Sequence, residues 1–354
     1  MESIDDILDL AHGENFKEYR VPGRHPYSFL VDYEFGSKET VRKLVRQSQN
    51  GSWNLEQLDW ATPFDPSVVA PLREVTPRVP RFHPGNSWDR ETWQQYEIAN
   101  LRYILSQTLY AEQLGVIFGG KLCQSGEDWD VKSFAGFMAA DEMRHAQAFH
   151  RYLERIGGAY PANSQMDSVV REVLDTKDWD KVFLTGQVLV EGLGLGVFGY
   201  LSRSTTDPLL REMLRLAMRD EARHVAFGAT QLRELVGELS DVELMERLEL
   251  IAYCTELLVN RLIAVTVAEE FGVDPRQYVR AVRMSPALRE LEMNLFAHVS
   301  PICARLGLLD RCDGWLRTEF AKLGILEIPY AIGVQAEQTL DAVAQFDESW
   351  YFSI

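Results

Sequence analysis

Cysteine is scarce in this chain of 354 residues. Its four thiols, Cys123, Cys254, Cys303 and Cys312, show no CxxC spacing, so they read as free core thiols of a reducing compartment. Basic residues are outnumbered: 36 Lys and Arg stand against 53 Asp and Glu, a net charge of −17. That field repels a nucleic-acid backbone and an anionic membrane surface alike, so neither is expected as a partner. No apolar run is seen to reach the roughly 20 residues that would span a bilayer. The acidic start Met1-Glu2-Ser3-Ile4-Asp5-Asp6 lacks a signal-peptide pattern, which points to the cytoplasm. Strand-like alternation is missing from the body of the chain, and so are a Gly-rich phosphate loop and a dinucleotide fingerprint. Hydrophobic residues still make up 46%, enough to bury a core, which rules out wholesale disorder.

What is present is mostly helical patterning. Six of the 14 prolines fall between Pro63 and Pro84, which argues against helix there. A short helix is expected before them, from Lys38 to Arg46. Trp53, Trp60 and Phe64 call for burial, so residues 1–85 are expected to form an irregular, aromatic-anchored arm wrapped on the main body. From Trp88 onward apolar residues recur at helical spacing. Helices are expected near 90–123, 129–157, 179–204, 208–237 and 241–271, with shorter pieces near 275–283 and 286–307. The breaks carry stop signals: Ser125-Gly126-Glu127-Asp128, Gly157-Gly158 and Thr206-Asp207-Pro208, where proline suits a first helical turn. The fold class is therefore all-α, a helical bundle. A core over 86–240 and further C-terminal helices over 241–354, packed on it, would make one structural domain with the arm.

The core contains an internal repeat. Asp141-Glu142-Met143-Arg144-His145 returns as Asp220-Glu221-Ala222-Arg223-His224, an offset of 79 residues. The same 79 residues separate Glu112 from Glu191, and each of these precedes its motif glutamate by 30. The midpoint of each 30-residue interval falls at an expected turn, so an antiparallel helix pair brings its two carboxylates to one height. Residues three apart share a helix face, so Glu142 points with His145 and Glu221 with His224. Four helices then aim four glutamates and two histidines at one point. Both Glu112 and Glu191 sit in apolar stretches. Several buried carboxylates would repel one another strongly unless protonated or paired with cations. Two divalent ions would neutralise four carboxylates, and a mixed imidazole and carboxylate set suits iron or manganese.

This constellation resembles the ferritin-like di-iron carboxylate superfamily, over roughly residues 90–237 and with a complete ligand pattern. The resemblance implies a ferritin-like four-helix bundle in which Glu112, Glu142 and His145 hold one metal and Glu191, Glu221 and His224 the other, some carboxylates bridging. The Asp-Glu-x-Arg-His form looks most like the oxygen-activating branch, with two iron ions (Mn/Fe being the alternative) and O2 as co-substrate. Asp141 and Asp220 share the ligand face, and metal-bound imidazoles give their other N–H to a carboxylate or carbonyl. Each Asp is therefore expected to accept from the His of the opposite repeat, with Arg144 and Arg223 paired to the aspartates.

The chain also departs from patterns within the superfamily. Phe149 lies where ribonucleotide reductase small subunits commonly carry a radical-forming Tyr, one turn beyond the first ligand His. Gly194 and Leu195 occupy the turn where several monooxygenases and desaturases carry a Thr. Arylamine N-oxygenases add a third His ligand on the helix of the second Glu-x-x-His. Here Ala217 stands one turn before Glu221, and no His lies between Glu191 and His224.

Gly192, Gly194, Gly196 and Gly199 crowd the third ligand helix, each costing roughly 1 kcal/mol relative to Ala. Two readings stay open: room beside the metals, or close helix contact. On the first, Gly115, Gly194, Ala217 and Gly228 leave space that Met138, Phe149, Leu195 and Phe198 wall. Such a wall favours a small apolar or aromatic organic substrate. With no cofactor fingerprint, electrons are expected from an external reductase, a ferredoxin or a small reductant. His12, His25, His83, His150 and His298 have no matching partners, and His150 is expected at the surface. Trp88, Trp93 and Tyr110 are expected in the core. The leading expectation is an O2-activating non-haem di-iron oxygenase that hydroxylates or N-oxygenates a small organic molecule. A desaturase-like oxidase on an acyl chain and an iron-storage protein are the alternatives. Homodimerisation is left open.

Overall fold

The computed structural model of the protein describes residues 4–5, 39–66, 88–126, 128–174, 178–259 and 262–326. The remainder of the proposed arm, His12, His25 and His83 within it, and the last part of the C-terminal region lie outside these residues. Helix α1 (Glu39–Gly51) is followed by the long pair α2 (Arg90–Ser125) and α3 (Trp129–Arg155). Then come α4 (Ser164–Leu174) and α5 (Trp179–Thr185), which runs through a π turn (Gly186–Val190) into α6 (Glu191–Ser204). Helices α7 (Pro208–Glu238), α8 (Asp241–Val259), α9 (Val265–Glu270), α10 (Pro275–Arg283), α11 (Pro286–Phe296), α12 (Val299–Arg305) and α13 (Trp315–Leu323) complete the chain. Among the described residues there is no strand.

The central bundle is α2, α3, α5–α6 and α7, which begin where their caps allow. Asp89 accepts from Thr92 N at 2.8 Å, and Asp128 accepts from Val131 N at 2.7 Å, each satisfying a first-turn donor. At α7, Asp207 accepts from Leu209 N and Leu210 N at 2.8 and 3.0 Å, ahead of Pro208 in the first turn. The other carboxylate oxygen of Asp207 accepts from Tyr152 Oη at 3.0 Å, which ties the start of α7 to α3. Inside, Phe134, Met138, Phe149, Leu153, Leu195, Phe198, Leu210, Leu214 and Phe227 are all inaccessible to solvent. Helix α1 lies across α3 and α7 and buries Val41, Leu44 and Val45 against them. Trp53, just beyond α1, is buried, and Trp60 and Phe64 pack partly buried on the core.

The later helices cover the bundle. Helix α8 packs on α4 and α5, α11 on α6, and α9 on α2, where Tyr96, Tyr103, Val265 and Tyr278 form a second apolar cluster. Trp88 and Trp93 pack against that cluster, and Tyr110 donates to Tyr160 O at 3.0 Å. His150 is exposed. Cys254 and Cys303 are buried, whereas Cys123 and Cys312 are half-buried, and all four are free.

The structure corrects several expectations. One stretch, Asp180–Ser204, is long and apolar enough to cross a membrane, with a mean hydropathy of 1.5 over its most apolar window, but 89% of that window is buried inside the protein. It is a core helix of the bundle. The single helix expected over 241–271 ends at Val259 and restarts at Val265, because Leu262, Ile263 and Ala264 turn inward to be buried. The helix expected over 286–307 breaks at Ala297-His298. Pro301 lacks an N–H and fits only the first turn of the new helix, α12. Helices α4 and α13 were not expected.

Candidate metal centre

The repeat places its six side chains on four facing helices: Glu112 on α2, Glu142 and His145 on α3, Glu191 on α6, Glu221 and His224 on α7. All are at most 4% exposed. They fall into two groups whose donor atoms lie within 4.8 Å of one another: Glu112, Glu142, His145 and Glu221, then Glu142, Glu191, Glu221 and His224. Glu142 and Glu221 belong to both, which is the arrangement two adjacent cations need from bridging carboxylates. His145 Nδ1 lies 3.0 Å from Glu112 Oε2 and 3.1 Å from Glu221 Oε1. His224 Nδ1 lies 3.0 Å from Glu142 Oε1 and 3.2 Å from Glu191 Oε2.

The other imidazole nitrogens turn outward and cross between the repeats. His145 Nε2 lies 3.1 Å from Asp220 Oδ2, and His224 Nε2 lies 3.4 Å from Asp141 Oδ2. Arg144 hydrogen-bonds Asp141 and lies 3.5 Å from Asp220; Arg223 hydrogen-bonds Asp220 and lies 3.5 Å from Asp141. The two aspartates and two arginines thus close a ring over the histidines. It is no surface pairing: Asp141 is 2% exposed, Asp220 0% and Arg223 4%. Residues after α1 complete it. Trp53 Nε1 donates to Asp220 Oδ2 at 2.7 Å, its ring stacks on His145 with centroids 6.2 Å apart, and Arg144 donates to Ser52 Oγ at 3.1 Å. Trp53 stands 167 residues from Asp220 in sequence, so nothing local announces their bond.

The electrostatics are those of a site built around positive charge. Burial pushes the Glu112 and Glu191 carboxyls well above their ordinary range, and repulsion from Glu142 and Glu221 respectively adds to it. Burial alone would pull His145 and His224 down. Their carboxylate neighbours, led by Asp220 for His145 and by Glu191 for His224, override that and hold both well above the usual imidazole value. Burial opposes ionisation of Asp220 and Glu221 as well, yet hydrogen bonds from His145, and for Glu221 from His224 also, keep both low. Glu191 Oε1 is buried without a hydrogen-bond partner, and Glu142 Oε1 has only the His224 ring nitrogen 3.0 Å away. Such oxygens, beside ring nitrogens crowded by acids, fit cations and not a self-sufficient polar core. Within each described group the only nitrogen ligand is one histidine, and Ala217 is buried in α7.

A cavity opens on one side of the cluster. Glu112, Glu142 and Glu221 of the cluster line it. Its walls come from α2, α4, α8 and one face of α5–α6, through side chains such as Leu114, Phe118, Met166, Leu189, Val197 and Leu258. Of the eight residues expected to shape a substrate pocket, Gly194 lines this cavity. The other seven are not among its lining residues. Phe198 and Phe149 pack together with ring centroids 5.5 Å apart, Phe198 beside His145. Met138 accepts a long contact from Gln187 at 4.0 Å, and Leu195 is fully buried. A Cβ on Gly115 would fall 2.7 Å from Glu142 Cδ, and one on Gly228 1.9 Å from Gln187 Oε1. Both glycines therefore make room for polar side chains. The wall missed from sequence is the face running from Thr185 to Val197, where residues three and four apart line up.

A family model described as p-aminobenzoate N-oxygenase AurF matches residues 35–307. Among solved structures, a variant R2-like ligand-binding oxidase with an aerobically reconstituted Mn/Fe cofactor is 16% identical, with a TM-score of 0.50 over 78% of this chain and 95% of that one. Another variant, with an aerobically reconstituted Fe/Fe cofactor, is also 16% identical, at a TM-score of 0.50 over 78% of this chain and 94% of that one. These structures share the ferritin-like helical fold. No curated protein matches the sequence.

Proposed function

The chain belongs to the family described as p-aminobenzoate N-oxygenase AurF, a di-iron oxidoreductase family of ferritin-like fold, and from that premise we propose that it is an O2-dependent oxygenase hydroxylating or N-oxygenating a small organic substrate. The observation that carries this reading is the buried, doubly shared Glu/His cluster, three of whose glutamates line a largely apolar cavity. Glu112, Glu142, His145 and Glu221 would hold one ion, and Glu142, Glu191, Glu221 and His224 the other. A pair of iron ions held there, or one manganese and one iron, would supply oxygen-activating redox chemistry.

The chain's own groups do the rest. Asp220 and Asp141 accept the Nε2 protons of His145 and His224 and so keep each Nδ1 lone pair aimed inward. Arg144 and Arg223 balance those aspartates, which leaves the four glutamates to be neutralised by two divalent ions. The apolar walls exclude water and orient substrate toward Glu112, Glu142 and Glu221. Electrons come from an external donor. The absence of the additional histidine of the arylamine N-oxygenases at Ala217 keeps carbon hydroxylation alongside N-oxygenation.

Elemental analysis, followed by reduction, O2 exposure and product detection across aromatic amines and hydrocarbons, tests this. About two ions per chain and an oxygenated product are expected. Glu142→Ala and His224→Ala should lower metal content. Full metal content in either variant, or growth of a mineral core in place of product, would overturn the reading, and an alkene product would replace it with a desaturase.

A further inference from the structure

We propose that Thr185 is the polar anchor of the cavity, and that the cavity selects an uncharged, largely apolar substrate bearing a hydrogen-bonding group over a carboxylate. This rests on the oxygenase reading above and names its substrate class.

The first observation is charge. The charged side chains among the described lining residues are Glu112, Glu142 and Glu221, all at the metal end. The described walls hold no Lys, Arg or His. A carboxylate entering such a space sheds its water and meets no wall cation in return. The family's named substrate, p-aminobenzoate, carries that group. An uncharged molecule escapes the penalty.

The second observation is an unpartnered hydroxyl. Thr185 is 2% exposed, and its Oγ1 is buried without a hydrogen-bond partner. Several helical hydroxyls elsewhere in this protein turn back onto the carbonyl four residues earlier, although the buried Ser48, away from the cavity, does not. Ser106 donates to Arg102 O at 2.6 Å, Thr230 to Ala226 O at 2.8 Å and Thr255 to Ile251 O at 2.7 Å. Thr185 makes no such bond to Lys181 and lines the cavity instead. Thr108, the other hydroxyl in the described lining, already donates to Ile104 O at 3.0 Å. A buried hydroxyl left unpaired is costly, and a ligand group beside it removes that cost.

The third observation is backbone. The π turn starts at the next residue, and single π turns concentrate at functional sites. Gly186, its first residue, passes so close to Phe118 that a Cβ would fall 2.4 Å from Cε2. From there Leu189, Val190, Leu193 and Val197 continue the same wall past Gly194, beside Glu221. One helix face therefore carries a polar group, an apolar run and a gap facing a metal-cluster carboxylate. That describes a ligand held at one end and oxidised along its apolar body.

The test measures binding without turnover. Reduced, metal-loaded protein is titrated anaerobically by calorimetry with three probes of one shape: 4-propylbenzyl alcohol, 1-ethyl-4-propylbenzene and 4-propylbenzoate. The alcohol should bind about tenfold more tightly than the hydrocarbon, as one hydrogen bond provides, and the carboxylate at least as weakly as the hydrocarbon. Thr185→Val should bring the alcohol to the hydrocarbon's affinity while the hydrocarbon keeps its own, and Thr185→Ser should restore the difference. Metal content of each variant reports whether the cluster is intact. Carboxylate binding as tight as the alcohol's, an alcohol-to-hydrocarbon ratio unchanged in Thr185→Val, or no binding of alcohol and hydrocarbon alike would each overturn the proposal. Reductive O2 uptake by the wild type is measured separately: its failure would overturn the oxygenase reading and leave the binding pattern standing.

Discussion

Each histidine of the cluster is held by an aspartate that the other repeat supplies. Removing that aspartate frees the imidazole N–H without removing a metal ligand. Asp141→Ala and Asp220→Ala should therefore weaken metal affinity by roughly 10–100-fold while leaving helicity unchanged. Competition titration with a chelator, beside circular dichroism, checks this; wild-type affinity in both variants would reduce these residues to buried ion-pair partners of Arg144 and Arg223. The repeat led to these groups because it recurs as a unit: the 79-residue offset matches the two copies, and within each the 30-residue interval centred on a turn puts the paired glutamates at one height. Trp53 and Thr185 carried no such signal. One acts across 167 residues, and the other differs from ordinary helical threonines only by a bond it does not make.

At the scale of elements, periodicity located the long helices, because each buries a stripe that recurs every turn. It failed where tertiary burial or one proline decided the outcome, between Val259 and Val265 and at Ala297-His298. The glycines of α6 answer the question their spacing left open in both ways. A Cβ on Gly196 would lie 2.4 Å from Leu295 O of α11, whereas one on Gly194 would make ordinary contact with Glu221 Cδ at 3.5 Å. Gly196→Ala should then lower stability by about 1–3 kcal/mol. Gly194→Leu should fill the cavity, cutting substrate turnover while metal still loads. Thermal melts and product assays on both variants separate the two, and equal melting with equal turnover would refute both assignments. The break at His298 has its own signature. Its ring nitrogens are buried without partners, and burial, with Arg203 nearby, pulls its pKa to about 4 from an ordinary 6.5. The folded state holds the ring neutral while the unfolded state takes up a proton below the ordinary value. Stability is thus complete above that value and lost as pH falls toward the folded one, by about 2 kcal/mol between roughly pH 7 and 5. Denaturant melts of the wild type and His298→Gln at both pH values should show the variant losing less; parallel losses would exclude His298 as the cause.

For the molecule as a whole, burial of four glutamates and two histidines makes metal binding and protonation exclusive. With Glu112, Glu191, His145 and His224 all shifted upward, the metal-free site holds protons more tightly than free side chains do, and arriving cations displace them. Adding ferrous or manganous ion to metal-free protein in weak buffer should acidify the solution, and a pH indicator would show it. Addition without acidification would mean that the ions bind elsewhere. Metal loading should also raise the melting temperature, since the ions bind the folded state preferentially. Finally, duplicated sequence does not produce duplicate halves. Asp220 accepts from an indole as well as from His145 and Arg223, whereas Asp141, among the described residues, has no counterpart to Trp53. Asp220 also lies 3.1 Å from the His145 imidazole and Asp141 3.4 Å from that of His224, so the two histidines are held unequally. The pseudo-twofold centre is therefore polarised. Its two seats should differ in metal affinity, and a stepwise metal titration should resolve two unequal binding steps.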